Sequence, residues 1–181
     1  MARSLISLLF LLLPLSAYAQ GGNVFLGYSY LNANSPAGDR SNINGWNGSL
    51  EGKIFPFVGL VADFSGHYGR QTVPQFCVGP GLCEPPANLT SRQYAFVFGP
   101  RVSVSVGKIR PFAHYLVGAG HISLGSNSGS DTSFAQTVGG GVDYKLIPFI
   151  AWRFQGDYVQ TRFFDGKQNN FRLSTGIVLH F

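Results

Sequence analysis

Phe149-Ile150-Ala151-Trp152-Arg153-Phe154-Gln155-Gly156-Asp157-Tyr158-Val159-Gln160-Thr161 decides the fold through its alternation. On an extended chain, Ile150, Trp152, Phe154 and Tyr158 point to one side and Arg153, Gln155, Asp157 and Thr161 to the other. A helix would scatter both sets around its axis. The stretch therefore reads as a strand with one apolar and one polar face.

The same period recurs in about eight segments, the number a small barrel needs. They are Asn23–Asn32, Gly45–Phe55, Phe57–Tyr68, Arg92–Val106, Arg110–Leu124, Phe134–Leu146, Phe149–Thr161 and Asn169–Phe181. Trp46, Leu50 and Ile54 oppose Asn47, Ser49, Glu51 and Lys53; Tyr94, Phe96, Phe98 and Val102 oppose Gln93, Arg101 and Ser103. Arg110–Leu124 is the weakest, setting Ala113, Tyr115, Val117 and Ala119 against Phe112, His114, Leu116 and Gly118. The connections alternate in length. Tight links lie near Phe55-Pro56-Phe57, Val106–Arg110 and Lys145–Phe149, and longer polar ones at Ala33–Asn44, Gly69–Ser91, Gly125–Ser133 and Arg162–Gln168. Short turns at one end and long loops at the other match periplasmic turns and extracellular loops.

Period two defines two faces without saying which is inside. Glu51, Lys53, Asp63, Arg101, Asp143, Lys145, Arg153, Asp157 and Arg172 all lie on the polar faces. A soluble barrel would have to turn one face to water, and an exposed belt of Phe, Tyr and Trp is rare on soluble monomers. In a membrane the aromatics meet lipid, and the nine charges form a mixed-sign network in the lumen. A Lys or Arg on the lipid face costs roughly 2–4 kcal/mol at the bilayer midplane, which fixes the orientation. Closure also pairs every strand N–H and C=O, so no edge faces lipid. Glycines 59, 118, 139, 140 and 141 serve either tight curvature or room for bulky lumen residues such as Phe112.

Composition agrees. The 181 residues include 24 Gly, 16 Phe and 8 Tyr with only 12% charged residues, which argues against disorder and against a helical bundle. The net charge of +5 is scattered, with no basic run interleaved with aromatics, so no nucleic-acid partner is expected. Residues 1–19 read as a cleavable signal peptide: Met1-Ala2-Arg3 is basic, Leu5–Leu15 apolar, and Ala17-Tyr18-Ala19 the small-x-small site before Gln20. That apolar run is too short for a transmembrane helix. Residues 20–181 form the barrel domain. Cys77 and Cys83, close together in a Gly/Pro-rich stretch of an exported chain, are expected to form a local disulfide.

The mature chain thus resembles the small eight-stranded outer-membrane barrels, the OmpA-like or opacity-type β-barrel domain family. The likeness rests on the alternating strands, on Arg110-Pro111-Phe112 through Val117-Gly118-Ala119-Gly120, and on a final amphipathic strand ending in an aromatic. It implies an all-β, antiparallel up-and-down transmembrane barrel exported to the cell outer membrane. It also implies that Ile177, Leu179 and Phe181 belong to a C-terminal signal that the barrel-assembly machinery reads as an added strand. A wall-tethering role, carried elsewhere by a following peptidoglycan-binding domain, is not expected of a chain ending at Phe181.

The fold leaves function open. The first reading is a structural or surface-interaction protein without catalysis. It is embedded among outer-membrane lipid and lipopolysaccharide, with loops available to an unspecified extracellular ligand. The Gly69–Ser91 loop, stapled by Cys77 and Cys83, serves either recognition or protection from proteolysis. The alternatives are a lipid A deacylase-like enzyme or a narrow, low-conductance pore. His121-Ile122-Ser123 places a base and a hydroxyl on one strand face, but Leu124-Gly125 departs from that family's continuation and no orienting acid is evident. A pore would need the lumen charges to part, since eight strands leave an interior that side chains largely fill. His67, His114, His121 and His180 show no metal-ligand spacing, and no cofactor is expected.

Overall fold

The computed structural model describes residues 21–34, 40–73, 76–79, 82–84, 87–125, 129–163 and 166–181. The predicted signal peptide, 1–19, lies outside the described residues. Among the described residues ten strands are formed: β1 (Gly22–Asn34), β2 (Arg40–Phe55), β3 (Val58–Val73), β4 (Phe76–Gly79), β5 (Leu82–Glu84), β6 (Ala87–Ser103), β7 (Ile109–Leu124), β8 (Ser130–Ile147), β9 (Ile150–Thr161) and β10 (Gln168–His180). Eight of them close a barrel in the order β1-β10-β9-β8-β7-β6-β3-β2, with every pairing antiparallel. The seam runs from Asn23 opposite His180 to Asn32 opposite Phe171.

Hydrophobicity is inverted relative to a soluble core. The three largest fully buried side chains are Arg101, Arg153 and Arg172, while Trp152, Phe154 and Leu179 are 37%, 61% and 47% exposed. Leu26, Leu60, Phe98, Phe134 and Val138 belong to the same outward belt, so the apolar surface is continuous around the cylinder. Only a hydrocarbon environment makes such a surface favourable.

One end carries three tight turns and both ends of the barrel sheet. Val106 and Ile109 exchange backbone hydrogen bonds of 2.8 and 3.1 Å around Gly107-Lys108, with Gly107 at φ +61. That sign of φ favours glycine and lets the chain reverse in two residues. The β2–β3 and β8–β9 turns each contain a proline and follow a register shift, between Lys53 and Phe55 and between Lys145 and Ile147.

The far end differs from expectation. Gly69–Ser91 is not all loop: β3 and β6 stay paired from Gly69 opposite Ser91 to Val73 opposite Ala87, and the small β4–β5 hairpin follows. Strand β2 likewise starts at Arg40 and β8 at Ser130. Beyond the apolar belt alternation fades from the sequence while the ladder hydrogen bonds, which need no apolar side chain, continue. At the turn end the error is opposite: β6 stops at Ser103, not Val106.

The glycine alternatives resolve toward packing at two positions. A Cβ on Gly141 would lie 2.8 Å from the Phe112 ring and closer still to the Phe154 carbonyl. One on Gly139 would collide with the Asp157 carboxylate. Both glycines face the lumen and make room for its occupants.

Candidate functional site: an ionic lumen with a polar mouth

The inward positions of β2, β3, β6, β8, β9 and β10 deliver their charges to a shared interior. Nearest the turn end, Glu51 accepts hydrogen bonds from Arg101 Nη1 (3.0 Å), Arg110 Nη2 (2.9 Å) and Asn23 Nδ2 (2.8 Å). Arg153 and Asp143, direct cross-strand neighbours, form a two-pronged pair: Nε to Oδ1 at 2.6 Å and Nη2 to Oδ2 at 2.8 Å. Both guanidiniums also lie over the Phe112 ring, Arg101 at 4.4 Å and Arg153 at 4.6 Å from its centroid. The ring face partly offsets the repulsion between two cations held so near each other.

Farther along the axis, Arg172 joins two carboxylates. Its Nη1 donates to Asp63 Oδ1 and its Nε to Asp157 Oδ2, each at 2.8 Å. Asn47 completes Asp63 (3.0 Å) and Gln155 donates to Asp157 (2.8 Å). His114 links the two layers: its Nδ1 lies 3.4 Å from Arg101 Nη2 and its Nε2 2.9 Å from Asp157 Oδ1. A guanidinium only donates, so Nδ1 accepts and Nε2 carries the hydrogen given to Asp157. Ser29, hydrogen-bonded to His67 on β3 (2.9 Å) and to its cross-strand neighbour Ser174 (3.0 Å), adds a polar contact along the inner wall. Toward the loop end Leu31, Ile43, Ile122 and Phe163 are buried beside Gln93, Thr161, Gln168 and Asn170, so apolar and polar side chains together fill the bore above the ions.

Glu51, Asp63, Arg101, Asp143, Arg153, Asp157 and Arg172 are therefore brought together in the interior. Lys53 and Lys145 are not. Both have inward parity, yet Lys53 is half-buried and Lys145 exposed at the turn-end mouth. Parity fixes a face but not a height along the barrel, and both lysines sit where the register shifts before a turn. The sequence alone assigns no role to Arg110, Asn23, His67 or His114. The alternation of β7 did place His114 beside Phe112 and Leu116, the signal by which it was findable.

The remaining candidates are elsewhere. His121 and Ser123 face outward near the loop end, and His121 Nδ1 lies 2.7 Å from Thr132 Oγ1 on β8. Register sets Cys77 opposite Cys83 in the β4–β5 hairpin. Leu179 and Phe181 are exposed on the outer wall, and the Phe181 backbone exchanges hydrogen bonds of 2.8 and 3.0 Å with Gly22 at the seam.

No protein-family model and no curated protein matches the sequence. Solved structures do match in fold. Neisserial surface protein A superposes with a TM-score of 0.69 at 13% identity, over 88% of this chain and 97% of that one. The attachment invasion locus protein of Yersinia pestis gives 0.55 at 16% identity over 88% and 98%. The outer membrane protein OprG of Pseudomonas aeruginosa gives 0.56 at 10% identity over 91% and 97%. The chain has the fold of the small outer-membrane β-barrels.

Proposed function

We propose that the protein is an outer-membrane barrel that acts through its surfaces: a lipid-embedded scaffold whose loop end meets anionic ligands outside the cell. The observation carrying this reading is the closed lumen. Among the described residues, buried ion pairs span the bore and mixed apolar and polar side chains pack above them, which leaves interaction to the ends and the outer wall. Residues 1–19 act as the export signal, and Ile177, Leu179 and Phe181 present the terminal strand to the assembly machinery.

At the loop end Arg40, Arg70, Arg92, Arg162 and Lys167 are exposed. Arg70 and Arg92 stand on the outward faces of β3 and β6, just beyond the paired hydroxyls of Tyr68 and Tyr94 (3.1 Å). Tyrosines mark the level where lipid gives way to headgroups, so these guanidiniums stand at the height of outer-leaflet phosphates. They suit lipopolysaccharide and, further out, sulfated or phosphorylated polymers. The Yersinia pestis protein of similar fold has been crystallised with the heparin analogue sucrose octasulfate. The bridge expected between Cys77 and Cys83 would hold the β4–β5 hairpin as part of this surface.

The test uses the full chain recovered from outer-membrane fractions, where a folded barrel shifts its electrophoretic mobility on boiling. Sucrose octasulfate is titrated against it in vesicles, alongside R70Q/R92Q/R162Q. Weaker binding by a folded triple variant is expected. Equal binding by the two proteins would refute the loop-end reading, and recovery from the periplasm would refute the membrane one.

A further inference from the structure

The two lysines that stand outside the lumen network have a place of their own. Lys53, Lys108, Arg110, Lys145 and His180 surround a cavity of about 210 Å³ at the turn-end mouth, with Ser105 on its wall. They converge from β2, the β6–β7 turn, β7, β8 and β10, so the cluster is a product of barrel closure and not of one basic strand. At roughly 30 Å³ per liquid water, the space holds an oxyanion with several waters of its own.

The cavity carries an unbalanced charge. Asp143 also lines it, but both its oxygens are held by Arg153. Glu51, just inside, already accepts three donors. Among the described residues Lys53, Lys108 and Lys145 make no ion pair. Arg110 Nε is a buried N–H with no acceptor. Three ammonium groups around one polar cavity lack a counter-anion with several acceptor oxygens.

Phe55, Phe57, Val106, Leu146, Phe149 and Phe181 are exposed in a collar around the same mouth. In the orientation proposed above, on which this inference rests, the collar lies at the boundary between lipid and periplasm.

We propose that the turn-end mouth binds a phosphate-ester anion, supplied either by an inner-leaflet phospholipid headgroup reaching over the collar or by a soluble periplasmic phosphate. The three lysines provide the charge and the N–H donors. The site would tie the barrel to its leaflet from inside the rim, independently of the loop end.

Native mass spectrometry of the intact, folded chain in a maltoside detergent tests this. The probes are phosphatidylglycerol, the matching phosphate-free diacylglycerol, and inorganic phosphate as competitor. Phosphatidylglycerol should be retained over diacylglycerol, and K53Q/K108Q/K145Q should weaken that retention by about tenfold, the scale of three partly exposed ion pairs. Displacement by millimolar inorganic phosphate identifies soluble phosphate as sufficient; resistance to it identifies the lipid as the source. Equal retention by wild type and K53Q/K108Q/K145Q overturns the proposal, as does an equal loss in R70Q/R92Q/R162Q, which alters only the opposite end. Heat-modifiable mobility and vesicle insertion, scored on the same samples, separate failure of this site from failure of the membrane orientation.

Discussion

Replacing Arg172 with methionine tests the ionic lumen most directly. Arg172 is 1% exposed and holds Asp63 and Asp157 together through two hydrogen bonds of 2.8 Å. Methionine approximates its length without the charge, so the change removes the cation and leaves two buried carboxylates. Breaking a buried pair by deleting one partner costs about 3–5 kcal/mol, mostly because the survivor stays desolvated. Two survivors would push toward the upper figure. Against that, Asp63 keeps Asn47, and Asp157 keeps His114 and Gln155. The expected loss is therefore about 3 kcal/mol, the lower end of that range.

The companion variant D63N/R172M/D157N decides the cause. With all three charges gone, the lumen loses its desolvation burden together with its attraction, and buried ionic groups replaced by neutral ones of similar volume often end near neutrality. The triple variant should recover most of the loss. Urea titration in phosphatidylcholine vesicles, followed through Trp46 and Trp152 on the outer wall and by heat-modifiable mobility, gives both free energies by linear extrapolation. A loss below about 1 kcal/mol in R172M would mean that water or a rearranged neighbour already screens the carboxylates, contrary to the full burial of Asp63 and Asp157. A triple variant as unstable as the single would show that shape, not charge balance, is what Arg172 supplies.

Other perturbations separate the remaining claims. Gly141→Ala should cost about 1–3 kcal/mol by forcing Phe112 or the β9 backbone to move, whereas Gly52→Ala, with nothing within 4 Å of its new Cβ, should be neutral or slightly stabilising in the same urea titration. Val138→Arg places a guanidinium on the outward face of β8 and should destabilise the vesicle-inserted barrel by about 2–4 kcal/mol, with little effect if the apolar belt were not in lipid. C77S/C83S should leave barrel stability within about 0.5 kcal/mol, since among the described residues the hairpin pairs with no barrel strand, while speeding protease cleavage between β3 and β6. Unchanged cleavage would argue against a disulfide there.

What the sequence disclosed follows from what alternation encodes. Side chains such as Trp152 and Arg153 differ so much in transfer free energy that period two alone sorts them, and closure fixes which set is inside. Cross-strand pairs such as Arg153 with Asp143 and Arg172 with Asp157 follow once a hairpin register is known. The link from Arg172 to Asp63 does not, because those residues are 109 apart in sequence and meet across the bore. Height along the axis is also unwritten: Lys53 and Glu51 share a face, yet one reaches the mouth and the other is buried beneath three donors. Strand extension at the loop end was hidden for a related reason. Thr72 and Asn88 pair in register, but nothing in their polarity distinguishes a wet strand from a loop.

The division of charge along the bore bears on function more than its total does. Around Arg172 the cation is enclosed by carboxylates and amides, a local balance that needs no visitor. At the turn end Arg101, Arg110 and Arg153 pair with Glu51 and Asp143, and Lys53, Lys108 and Lys145 add three cations that make no ion pair among the described residues. A barrel selected only for a stable plug would gain nothing from that surplus, because unpaired cations around a small mouth repel one another. Neutralising any one of the three lysines would then stabilise the isolated barrel slightly. If K108Q raises the urea midpoint in maltoside but not in vesicles containing phosphatidylglycerol, the surplus is held for a ligand present only in the second case. If it raises both equally, the lysines answer to solubility or assembly, and the mouth is only a charged rim.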